Sequence, residues 1–238
     1  IVVDLNTDVS TIQMIVSFCT LITAALILFS TKLQDIVGKK KLFVIGAALF
    51  GIGIFAAVLS SSVTMFFVGW AAIKGVAAAL MLPAIVSIIS GIYSGRKRTI
   101  ALATLGVMAG LADILAPLLG GLITTFFSWR YTFAFELIFI LFILAMQNKI
   151  PEFKPTESKS DLDIVGAILS GICLLLLVLG ILTLTKDVAT SIIEIILGLI
   201  VLAIFIRYEL KRKRSGKVPL IDVELFRDKN LRIGTSIK

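Results

Sequence analysis

The 238 residues carry 23 Lys and Arg against 15 Asp and Glu, contain no His, and are 58% hydrophobic at a mean hydropathy of +1.08. So much apolar side chain excludes an ordinary water-soluble domain and marks a chain that crosses a membrane several times. Without histidine there is no His-ligated metal centre or histidine proton relay. The sequence also shows no metal-ligand cluster, nucleotide-binding loop or nucleophile–base set, so it predicts no metal, no cofactor and no enzyme.

Crossing the hydrocarbon takes about 20 apolar residues as a helix, and seven runs meet that requirement. They are Thr11–Ser30, Leu42–Ser61, Met65–Tyr93, Thr99–Phe126, Tyr131–Gln147, Ile164–Thr185 and Ile192–Arg207. Lipid gives the backbone no hydrogen-bond partner, and the runs are too long for barrel strands, so an all-α polytopic bundle of about seven transmembrane helices is predicted. Cys19 and Cys173 fall within these helices, where a thiol serves as a small apolar side chain.

In chain order, the first two runs are joined by "TKLQDIVGKKK", read as a cytoplasmic loop with lysine anchors; Gly38 permits a tight turn, and Asp35 suggests a specific contact. The third run holds Lys74 on one face with Ala71, Gly75 and Ala78. In the fourth, Gly106, Gly110, Asp113, Pro117 and Gly121 share one stripe, small enough for a neighbouring helix to approach closely. Pro117 has no N–H, so the carbonyl of Asp113 is left free at a predicted kink. Glu136 is the charge of the fifth run. Counted from the outer ends of these runs at about 1.5 Å per residue, Lys74, Asp113 and Glu136 all lie below the outer surface, Asp113 deepest and Glu136 shallowest. Charges at such depth need partners or water, since an unpaired one costs about 2.5–3.5 kcal/mol at a helix centre. A Lys74–Asp113 ion pair and a titrating Asp113 are the two expectations. For Lys74 and Glu136 a structural role is the first reading.

Residues 148–163 read as a polar cytoplasmic linker with Pro151 and Pro155. The last two runs are plain and apolar, with Glu194 their one charge before Arg207, and are read as lipid-facing or structural. Twenty of the 23 Lys and Arg lie in alternate loops and in the tail from Arg207, which places those segments in the cytoplasm and the N-terminus outside. This asymmetry accounts for the net charge of +8, so no nucleic-acid partner is expected. Ile1 follows no signal peptide or initiator Met, and a piece of a longer protein is expected.

Together these segments resemble the major facilitator superfamily, and within it the 14-helix drug:proton antiporter branch. Leu33, Asp35, Gly38, Lys39 and Lys40 match that superfamily's loop motif between helices 2 and 3, with Thr31 for its leading glycine and Ile36 for the arginine after the aspartate. "APLLGG" (Ala116–Gly121, with Pro117, Gly120 and Gly121) resembles the antiporter motif of helix 5, Ala116 replacing a glycine. "KGVAAALMLP", with Gly75 and Pro83, resembles the helix 4 motif, although the expected arginine is Ala71. "SWRYTF" and "PLIDVELFRDK" are similar to later family segments.

The resemblance implies that residues 1–147 are family helices 2–6, most of the first six-helix half. Residues 164–207 would be the two inserted central helices, and 208–238 a cytoplasmic segment leading to a second half. It implies a cell-membrane exporter of small amphipathic or cationic compounds, coupled to protons by alternating access. Asp113, Glu136 and Lys74 are the coupling candidates, and the Asp35–Lys40 loop is a cytoplasmic gate. The missing arginine puts the usual coupling route in question, and Lys74 is its candidate replacement. Taken alone, the chain is expected not to transport. Two other classes stand beside this one. A seven-helix receptor or retinal protein fits the helix count, but the last helix lacks a Schiff-base lysine and the class gives no reason for the "APLLGG" stripe. A non-transporting membrane subunit would explain the departures at Thr31, Ile36 and Ala71.

Overall fold

The computed structural model describes residues 1–155, 163–184, 187–215 and 220. Among these there is no strand, and seven long helices follow one another. They are α1 (Val9–Val37), α2 (Lys39–Val58), α3 (Val63–Ile92), α4 (Gly95–Phe126), α5 (Arg130–Ala145), α6 (Ile164–Thr183) and α7 (Val188–Arg214). All but α5 have at least 18 residues and are apolar enough to cross a membrane; α5, with 16, reaches roughly 24 Å. Helix starts follow from capping chemistry. The carboxylates of Asp8, Asp163 and Asp187 and the hydroxyl of Ser62 each accept a backbone N–H of the turn they open.

The expected loop "TKLQDIVGKKK" is almost entirely helical. Helix α1 continues to Val37 and α2 begins at Lys39, with Gly38 alone between them. Gly38 has φ 100°, a conformation that costs other residues more, and its N–H donates to Gln34 O at 2.9 Å. The apolar runs end at Ser30 and begin again at Leu42, but a single glycine is enough to separate the two helices.

Two compact units make up the chain: Ile1–Thr23 with Leu33–Thr156, and Ala24–Lys32 with Glu157–Lys238. In the first, α2 is the central helix. It buries Gly46, Ala47, Gly51, Gly53, Ile54 and Ala57 against α3 and α5. The closest approach joins Gly53 to Gly69: a Cβ on Gly53 would lie 2.7 Å from Gly69 O, and one on Gly69 would lie 2.8 Å from Gly53 O. There α3 widens into a π-helical stretch, Phe67–Ile73, before resuming as an α-helix at Lys74. Such wide turns are rare and concentrate at functional positions. Pro83 lies inside α3 and Pro117 inside α4 without ending either helix.

At the α2 C-terminus, Arg130 donates to Val58 O (3.2 Å) and Ser60 O (2.9 Å), satisfying one carbonyl of the last helical turn and one just past it. Asp4 accepts from Arg130 Nη1 at 3.0 Å and from the Trp129 indole at 2.9 Å. Phe66, Trp129 and Phe133 complete this end as edge-to-face rings. "SWRYTF", read as containing a simple interfacial anchor, is therefore a cap and a clasp.

In the second unit α6 and α7 form a tight hairpin. Gly166, Cys173 and Gly180 on α6, and Ser191, Gly198 and Phe205 on α7, are buried at seven-residue intervals, the repeat of a left-handed helix pair. Ser191 donates to Gly180 O, and Cys173 Sγ donates to Gly198 O at 3.5 Å. At the other end Asp163 is buried, pairing with Arg212 Nε (3.1 Å) and accepting from Tyr208 (3.1 Å). Helices that looked uniformly plain thus carry a structured seam.

Candidate functional site

The expected Lys74–Asp113 pair is not formed; the carboxylate beside Lys74 is Glu136. Lys74 Nζ donates to Glu136 Oε1 at 2.9 Å and Oε2 at 3.1 Å, joining α3 to α5. The ammonium also lies 4.9 Å from the Phe50 ring centre and 5.1 Å from that of Trp70, both within cation–π range. Its side chain is 15% exposed and that of Glu136 36%. An otherwise costly intramembrane lysine is thus matched by one carboxylate and two aromatic faces.

The backbone explains how these groups meet. Phe50 sits three residues before Gly53, and Trp70 one residue after Gly69, so the glycine crossing draws both rings toward one cleft. Lys74 ends the π-helical stretch one turn beyond Trp70. Gly75, from the helix 4 motif, is where α1 crosses: a Cβ there would lie 3.0 Å from Cys19 O, and Thr23 donates to Gly75 O at 3.0 Å. In the sequence Lys74 and Glu136 stand out separately, as isolated charges, and Phe50 and Trp70 do not stand out at all. Trp70 and Lys74 at i and i+4 were the available signal.

Asp113 has no polar partner among the described residues, and α4 buries none of its side chains. A Cβ on Gly106, Gly110, Gly120 or Gly121 would meet nothing within 4 Å. The close helix approach expected of this stripe is therefore not made among the described residues. Helix α4 has its main contacts with the flanking helices α3 and α5, and its two glycine carbonyls at 120 and 121 accept from Thr124 and Thr125, each at 2.7 Å.

The lysines at the start of α2, expected from the sequence to belong to a gate, are braced by the segment after α5. Lys40 pairs with Glu152 at 2.9 Å, and Lys39 Nζ lies 5.5 Å from the Phe153 ring centre. That ring rests on Gly91, where a Cβ would come within 2.6 Å of Phe153 Cε1. Asp35 occupies the last turn of α1, partly buried. No group of three or more potential metal ligands is gathered among the described residues.

The family model described as Major Facilitator Superfamily matches residues 1–206. The chain belongs to the major facilitator superfamily. It is also 31% identical over 225 residues to the quinolone resistance protein NorB of Staphylococcus aureus, in strains JH9 and Newman alike. Those alignments cover 94% of this chain and 48% of NorB, so the chain spans about half the length of these relatives. Membership fits the bundle of apolar helices and makes this a multi-pass membrane protein of a transporter family.

Proposed function

We propose that this chain forms part of an exporter of small amphipathic or cationic compounds, driven by proton influx through alternating access. Residues 1–147 then correspond to family helices 2–6, 148–163 to a cytoplasmic linker, and 164–207 to the inserted central pair. Residues 208–238 lead toward the second half. The N-terminus faces outward and the C-terminus the cytoplasm, as the lysine and arginine distribution requires.

The observation that carries this reading is the Lys74–Glu136 pair, held between two apolar helices beside a π-helical turn. A carboxylate with a movable cationic partner can exchange that partner for a proton. Lys74 then serves where the family pattern has an arginine at residue 71. Asp113, on the uncovered face of α4, is a second proton carrier once a partner helix closes over the glycine stripe. NorB, whose name records quinolone resistance, supports efflux as the direction of transport.

The test uses the full-length transporter in everted vesicles. Glu136→Gln and Asp113→Asn are each expected to abolish proton release on substrate addition while leaving the protein folded. Full substrate-driven proton movement in both variants would remove these carboxylates from coupling.

A further inference from the structure

We infer that Glu136, Phe50 and Trp70 form a binding cage for an external organic ammonium, and that Lys74 is its tethered occupant. This deepens the export reading and rests on it for the source of the ligand.

The geometry is that of an ammonium site. One carboxylate receives two hydrogen bonds, at 2.9 and 3.1 Å, from a nitrogen that also lies against two aromatic faces. A structural ion pair needs only the carboxylate. The rings add attraction for any cation of this size, and more as water is excluded. Trp70 is stacked on Phe66 and meets Phe133 edge-on, and its indole N–H is buried without an acceptor among the described residues, an arrangement that carries a cost of its own. Glu136 keeps 36% of its side chain exposed against 15% for Lys74, so its side chain is not sealed off by the lysine that pairs with it. An arriving ammonium can therefore engage Glu136 before Lys74 leaves.

Lys74 then acts as a competitor. A tethered ligand presents an effective concentration on the order of millimolar, so a free ammonium must bind better than the lysine or meet it already displaced. Compounds with extra apolar surface for the cage walls would meet this condition, and small inorganic cations would not.

The test is chemical rescue of the purified protein. Lys74→Ala removes three methylenes and the ammonium, the atoms of n-propylammonium. Propylammonium chloride should raise the thermal midpoint of Lys74→Ala by roughly 5–10 °C at a hundredfold excess over its dissociation constant. Wild type should not respond, nor should Lys74→Ala respond to potassium chloride at equal ionic strength. Adding Glu136→Gln or Trp70→Leu to Lys74→Ala should abolish or weaken the response. A response equal in wild type, equal with potassium, or unchanged by Glu136→Gln would overturn the proposal. If Lys74→Ala aggregates when purified without the cation, propylammonium present throughout should yield monodisperse protein; aggregation in both buffers counts against the cage. None of these readings needs a proton gradient, so failed coupling in vesicles with intact rescue would refute the export reading alone.

Discussion

Glycine-to-alanine changes at positions 69 and 110 should move stability in opposite directions. At Gly69 the new methyl would lie 2.8 Å from Gly53 O, 2.9 Å from Ala56 Cβ and 2.9 Å from Ala57 N. Two of those atoms are backbone, so α2 and α3 must separate. Overpacking of this kind costs about 1–3 kcal/mol, offset by up to about 1 kcal/mol of improved helix propensity. At Gly110 nothing lies within 4 Å of the new methyl, and the propensity gain stands alone. For a chain of this length each kcal/mol shifts the thermal midpoint by roughly 2–4 °C. Gly69→Ala should therefore melt several degrees below wild type and Gly110→Ala a few degrees above it, followed by far-UV circular dichroism in detergent. A Gly69→Ala midpoint at or above wild type would refute the crossing geometry. In a full-length transporter, where we propose that another helix covers the stripe, Gly110→Ala should lose its advantage.

Three further outcomes are expected. The hydrogen bond from Trp129, with that from Arg130, holds the Asp4 carboxyl below its ordinary value of 3.8, so this clasp strengthens the fold above that pH and is lost as pH falls through the depressed value; fluorescence of Trp129 in a Trp70→Phe background should change in that acidic window, and Asp4→Asn should remove the change. Phe153→Ala and Gly91→Leu should each loosen the Lys39–Lys40 brace, and the double variant should be no worse than either alone in thermal midpoint; additive losses would show that the ring and the glycine do not share one contact. Single cysteines replacing Ser61 or Lys186, in a Cys19- and Cys173-free background, should label from outside intact cells, whereas those at Lys39 or Lys97 should not; labelling at Lys39 would invert the topology.

Helix number, order and apolar character were legible because the membrane imposes a length and a composition that can be counted along the chain. The charges at 74, 113 and 136 were legible as exceptions to that composition. Their pairing was not. Depth along separate helices does not say which helices touch, and Lys74 had two carboxylates within plausible reach. What selects Glu136 is the packing of both α3 and α5 on α2, a tertiary fact carried partly by Gly46 and Gly51, which have no side chain to announce it. The same limit hid the α6–α7 seam, since its alternating small residues look unremarkable inside a uniformly apolar run. At Gly38 the glycine itself was visible, but lysines on its far side read as loop when they begin a helix.

The glycine crossing and the ammonium cage are parts of one device. Phe50 and Trp70 flank the Gly53–Gly69 contact on opposite helices, so the distance between the two backbones sets the separation of the two rings. The π-helical stretch contains both Gly69 and Trp70 and ends at Lys74, whose ammonium lies against the two rings. Separating α2 from α3 should then weaken the hold on the ammonium as well as the fold. Gly69→Ala, introduced beside Lys74→Ala, should reduce the propylammonium response even at temperatures where the protein remains folded. Gly46→Ala is the appropriate comparison, because its methyl would press first on the flexible Met81 side chain at 2.7 Å, with Ala77 O and Leu80 Cβ at 3.2 Å, none of them a ring atom. A loss of cation response with Gly69→Ala but not with Gly46→Ala would tie the site to the crossing, whereas equal losses would mean that the cage responds only to general loosening of the bundle.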